Sequence, residues 1–172
     1  MKILLTGSSK GIGFSIAKTL INEGHEIALH YNKNKSSLDT LIKESKTNSF
    51  TIKSDLSDSN QIKDLVKGTI DKLSFPDCII NNAGIAESSD ISIDFERWNE
   101  LFDRTIDVNL KAPSLIFKEF IKYKRANKIK SRLRFINIAS RAAYRGEQED
   151  YISYACSKGG MISLTKTMSR SF

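Results

Sequence analysis

Five short apolar runs alternate with stretches of helical periodicity along the whole chain, and few architectures accommodate that order. The predicted strands are Lys2 to Thr6, Glu26 to Tyr31, Phe50 to Lys53, Asp77 to Asn81 and Leu133 to Ile138. The predicted helices lie at Ile12 to Glu23, Ser36 to Glu44, Ser59 to Leu73, Phe95 to Phe102, Thr105 to Tyr123 and Tyr151 to Met168. Ile12, Ile16, Leu20 and Ile21 recur at helical spacing, as do Ile62, Leu65, Val66 and Leu73. Ser57-Asp58-Ser59 supplies candidate caps for one helix, and Gly24 stands at the expected stop of another. Such alternation predicts an α/β fold in three layers, a doubly wound parallel sheet covered by helices on both faces. Its strand order should be 3-2-1-4-5, with ligands bound at the carboxyl ends of the strands where the order reverses. No repeat, linker or low-complexity stretch interrupts the pattern, so residues 1–172 are read as a single domain.

Composition narrows the class. An apolar fraction of 40% fits a globular chain, and no apolar run approaches the roughly 20 residues of a membrane span. The opening Lys-Ile-Leu-Leu is cut off by Thr6-Gly7-Ser8, too short for a signal-peptide core, so a cytoplasmic protein without membrane contact is expected. Cys78 in a strand and Cys156 in a helix give no disulfide framework, and His25 and His30 lack the partner spacing of a metal site. The net charge of +7 is partly local, because Phe120 to Gly146 holds nine basic residues and no acid. A solvated face explains such a run; an acidic protein partner, a phosphorylated substrate or nucleic acid would also use it. No interleaved aromatics accompany the charges, which argues against nucleic acid.

The first strand ends in Thr6-Gly7-Ser8-Ser9-Lys10-Gly11-Ile12-Gly13, where a helix begins. Glycines allow a tight turn and close backbone approach, and the helix N-terminus offers N–H groups to a pyrophosphate. The spacing Gly-x-x-x-Gly-x-Gly differs from the Gly-x-Gly-x-x-Gly fingerprint. After the second strand, His30-Tyr31-Asn32-Lys33-Asn34-Lys35 offers lysines and no acid, and Lys10 lies in the glycine turn. Coulomb attraction there favours NADPH, with its 2′-phosphate, over NADH. Asp55, before Leu56, is placed either to read an adenine amino group or to close a turn. Asn81-Asn82-Ala83-Gly84 suits a ligand passing close to the backbone, or simply a turn. Asn109 sits in a helical pattern, where asparagine marks a functional or kinked position or a polar face. Tyr154 and Lys158, four apart, stack on one helix face, so a cation adjoins a phenol that can serve as a proton donor. Ser140, earlier in the chain, could hold a carbonyl oxygen.

Taken together, the glycine turn, Asp55-Leu56, Asn81-Asn82-Ala83-Gly84, Asn109, Ser140 and Tyr154-x-x-x-Lys158 resemble the short-chain dehydrogenase/reductase family. Within it the chain most resembles the β-ketoacyl-acyl-carrier-protein reductases of fatty acid biosynthesis. The resemblance implies a Rossmann-type domain, NADP(H) as cofactor with NAD(H) second, no metal, and reduction of a carbonyl. It implies catalytic roles for Ser140, Tyr154, Lys158 and Asn109. Cofactor contacts would come from Gly7, Ser8, Ser9, Lys10, Gly11, Ile12, Gly13, Asn32, Lys33, Asp55, Leu56, Asn82, Ala83, Gly84, Tyr154 and Lys158. An acidic acyl carrier protein and a second copy of the chain would be the partners. The resemblance stops with the helix bearing Tyr154 and Lys158, so the family's C-terminal third has no counterpart. A weakly active or inactive dinucleotide-binding fragment is therefore the alternative expectation.

Overall fold

Ile3, Leu4 and Leu5 are buried, as are Ile27, Ala28 and Leu29. Strands this uniformly apolar need cover on both faces, which a parallel sheet between helices provides. The computed structural model describes residues 1–171. Its strands are β1 (Lys2–Leu5), β2 (Glu26–Tyr31), β3 (Phe50–Lys53), β4 (Cys78–Asn81) and β5 (Arg134–Asn137). They form one five-stranded sheet in the order β3-β2-β1-β4-β5, as the sequence predicts. Leu4 is level with Ala28 on β2 and Ile79 on β4, so the central register is apolar throughout.

The helices are α1 (Gly11–Asn22), α2 (Ser36–Lys43), α3 (Ser59–Leu73), α4 (Phe95–Ile106), α5 (Ala112–Ala126), α6 (Ala142–Arg145) and α7 (Ile152–Ser171). Among the three capping candidates it is Asp58 that caps α3, its carboxylate accepting from the amides of Asn60 and Gln61. Gly24 ends α1 at φ +82°, as its position predicts.

The sequence reading separates Phe95 to Phe102 from Thr105 to Tyr123. Instead α4 runs through a π-helical turn, Asp107–Lys111, directly into α5. Asp103 and Arg104, which interrupt the apolar pattern, are exposed residues of a continuous helix. Short α6 and a 3-10 turn at Glu149–Tyr151 were not foreseen, being too brief to carry a period.

The chain divides into two compact units, Met1–Ala83 with Leu115–Ile136, and Gly84–Ser114 with the segment from Asn137 onward. The first contains the sheet up to Ile136. In it Phe120 is buried and meets Phe75 edge-on at 6.2 Å. In the second, α7 packs on α4 and on the π-helical turn. A Cβ on Gly160 would stand 2.6 Å from the Leu110 side chain, which explains a glycine inside α7. Cys78 is buried in β4 and Cys156 is exposed on α7. No helix among the described residues is long and apolar enough to cross a membrane.

Candidate active site

In the first unit the glycine turn is fixed from below by the exit of β4. Thr6 Oγ1 accepts from the amides of Asn82 and Ala83, each at 3.0 Å. The Asn82 side chain answers by donating to the carbonyls of Thr6 and Gly7, again at 3.0 Å. Gly7 lies at φ +64°, and a Cβ there would come within 2.8 Å of Ala83 Cα. Lys10 precedes α1 with no side-chain cap, and no acid lies in the helix's first turn. A cramped glycine cradle followed by an uncapped helix start, free of acids, fits a pyrophosphate.

One residue that no motif marks ties this turn to the neighbouring strands. Ser8 donates to the His30 carbonyl from both its amide and its hydroxyl, each at 2.9 Å. The Gly7 amide donates to His30 Nδ1 at 3.0 Å, and Nε2 on the far side of the ring faces the Ser54 carbonyl at 3.0 Å. The next residue, Asp55, accepts from the Ser57 amide and hydroxyl through Oδ1 at 2.9 and 2.7 Å, so it does close a turn. Leu56 is buried, whereas Asn32 and Lys33 are exposed beyond the end of β2.

In the second unit the predicted catalytic residues fall around α7. Lys158 is only 4% exposed, donates to the Ile138 carbonyl at 2.8 Å, and lies 5.8 Å from the centre of the Tyr154 ring. Burial pushes its pKa down, since desolvation opposes the charged form. Asn109, fully buried in the π-helical turn, grips both backbone groups of Ile85: Oδ1 accepts from its amide and Nδ2 donates to its carbonyl, each at 2.8 Å. Nδ2 also donates to Ser157 Oγ at 3.0 Å, and that hydroxyl donates to the Tyr154 carbonyl at 2.7 Å. A Cβ on Gly84 would be 3.3 Å from Asn109 Oδ1 and 3.6 Å from Lys158 Nζ, so Gly84 adjoins both. Ser140 Oγ accepts from the Ala142 amide at 3.2 Å at the start of α6.

Asn109, Tyr154, Lys158 and Gly84 are thus gathered in one unit, with Ser157 as an unforeseen link. The other cofactor candidates, from Gly7 to Ala83, lie in the first unit. Ser157 could have been suspected, since it shares an α7 face with Ser153 and Tyr154 at helical spacing. The Ile85 and Ile138 carbonyls carry no side-chain signal in a sequence.

The whole chain, residues 1–172, matches the short chain dehydrogenase family. It is 29% identical to the 3-oxoacyl-[acyl-carrier-protein] reductase FabG of Staphylococcus epidermidis over 97% of this chain and 67% of that protein. To the enzyme of the same name from Staphylococcus aureus it is 30% identical, over 97% of this chain and 66% of the other. The chain therefore spans about two thirds of the length of these relatives. Among solved structures, a metagenomic short-chain oxidoreductase in complex with NADP superimposes with a TM-score of 0.84 at 27% identity, covering 99% of this chain and 75% of that one. A 4-hydroxyisoleucine dehydrogenase complexed with NADH gives 0.85 at 28% identity, covering 99% and 67%.

Proposed function

Since the chain belongs to the short-chain dehydrogenase family, we propose that it is an NADPH-dependent oxidoreductase reducing a carbonyl, of the 3-oxoacyl thioester kind, to a hydroxyl. Residues 1–172 would act as one dinucleotide-binding domain. When bound, the nicotinamide supplies the hydride. Tyr154 donates the proton to the carbonyl oxygen, and Ser140 donates a hydrogen bond to that oxygen. Lys158 holds the nicotinamide ribose hydroxyls and, as a cation, supports proton loss from Tyr154. Asn109 orders a water that relays the replacement proton.

Gly7, Ser8, Ser9, Lys10, Gly11, Ile12 and Gly13 bind the phosphates and adjoining ribose. Asn32 and Lys33 attract the 2′-phosphate, Asp55 and Leu56 read adenine, Asn82 lines the adenosine-side ribose, and Ala83 and Gly84 also contact the cofactor. The observation that carries the reading is Lys158: an ammonium this buried, 4% exposed, is costly to keep, and its carbonyl partner Ile138 takes one of its three donors.

Steady-state NADPH oxidation with a short β-ketoacyl thioester tests the proposal. Tyr154→Phe should lower kcat by at least about 100-fold. An unchanged rate removes Tyr154 as proton donor. A second reading, a dinucleotide-binding module without turnover, rests on the glycine cradle and uncapped helix start of the first unit alone. Saturable NADPH binding with no wild-type turnover would select it. The acid-free stretch supports docking of an acidic acyl carrier protein in the cytoplasm. Charge reversal at Arg125, Lys128 and Lys130 should then weaken that binding. A homo-oligomer is the proposed assembly.

A further inference from the structure

Two segments of the first unit converge on His30 near the end of β2: the glycine turn after β1, and Ser54 after β3. We infer that His30 is the positioning residue of the glycine turn, holding Gly7 and Ser8 in their binding geometry only as the neutral imidazole protonated on Nε2. The inference rests on reading that turn as the dinucleotide site.

The tautomer follows from the partners. Gly7 N–H is a donor and needs an acceptor, so Nδ1 carries no proton; Nε2 faces a carbonyl and must carry one. His30 is 2% exposed, so bulk water does not reach the ring to replace either contact. Protonation would place a second N–H at Nδ1, donor against donor, on the residue whose φ of +64° starts the turn. Of the groups around the ring, Gly7, Ser8 and Ser54 are uncharged. Burial pushes the His30 pKa below its ordinary 6.5, outweighing the Ser54 carbonyl and, beyond β3, the Asp55 carboxylate, which both favour the imidazolium. A lowered histidine pKa means that the native turn is intact above 6.5 and loses its hold as the pH falls through the lower native value.

Two substitutions separate the contacts. In His30→Asn, Oδ1 replaces the Nδ1 acceptor and the Ser54 contact is lost. In His30→Gln, the side-chain amide replaces Nε2–H and the Gly7 amide loses its acceptor. Calorimetric titration with NADP⁺ between about pH 5 and 8, with circular dichroism to verify folding, should show His30→Gln weakened about tenfold at neutral pH, the effect of one unpaired buried donor. His30→Asn should recover most of that loss. Wild-type affinity should fall on acidification more steeply than that of His30→Asn, whose slope isolates the titration of the ligand's own 2′-phosphate. Nitrogen-15 spectra of the free protein should show the proton on Nε2, with the Gly7 amide shift following the ring's titration. An Nδ1–H ring at neutral pH, a folded His30→Gln that binds like wild type, or equal slopes for wild type and His30→Asn would each overturn the inference. If NADP⁺ fails to bind wild type at every pH while the nitrogen-15 signature appears, the cofactor reading falls and the role of His30 in the turn stands.

Discussion

Gly13 owes its identity to room. A Cβ there would stand 2.0 Å from the Gly7 carbonyl oxygen and 2.5 Å from Asn82 Nδ2, both fixed by the network around Thr6. Gly13→Ala should therefore cost about 1–3 kcal/mol by overpacking and abolish saturable NADPH binding, read by denaturant unfolding and fluorescence titration. Asn109→Ala leaves the Ile85 amide and carbonyl without their side-chain partner and should destabilise by about 1–3 kcal/mol. Urea unfolding checks it, and an unchanged midpoint would mean that water takes over both groups. Tyr154 and Lys158 were legible in the sequence because a helix turns their spacing into adjacency. Asn109 was legible as an oddity, a mediocre helix former in a helical pattern. Its grip on Ile85 was not, because that partner is backbone. His30 stayed hidden for a related reason: its bonds to Gly7, Ser8 and Ser54 all involve backbone groups, so no paired side-chain motif announces it.

Among the elements, the π-helical turn is the departure from the sequence reading. Period counting registers apolar spacing, and one widened turn leaves Leu101, Thr105 and Asn109 buried at four-residue intervals before Ala112 and Ile116 resume. The widening lies in the backbone bonding, and its residue signature is Pro113, which lacks the N–H that would donate to the Asn109 carbonyl; apolar spacing does not register it. Strand positions were readable to within a residue: β1, β2 and β4 are the mainly buried apolar runs that a covered parallel strand requires, and β3 and β5, which are partly exposed, keep their place in the alternation with helices. The end of α5 offers a test of element energetics. Lys128 adopts φ +52°, with its amide donating to the Arg125 carbonyl at 3.2 Å and the Ile129 amide to the Lys124 carbonyl at 3.0 Å. A helix ending this way prefers glycine, and the Lys124 ammonium also donates to the Ile129 carbonyl. Lys128→Gly should stabilise by about 0.5–1 kcal/mol in thermal unfolding.

For the whole molecule, a cofactor that binds the native chain and not the unfolded one should register in global stability. NADPH at about 100 times its Kd should add about 2.7 kcal/mol to unfolding. At equal concentration, NADH should raise the melting temperature less; equal shifts would remove the preference assigned to Asn32 and Lys33. Strand order was legible at this scale because short right-handed crossovers leave few ways to arrange alternating strands and helices. The division at Gly84 was not, since no linker composition marks it. The cysteines add a practical asymmetry. Burial in β4 raises the Cys78 pKa and keeps that thiol protonated, whereas Cys156 is exposed on α7, two positions beyond Tyr154. A maleimide fluorophore should thus attach at a single place without mutagenesis, turning the native chain into its own optical sensor for events at Tyr154.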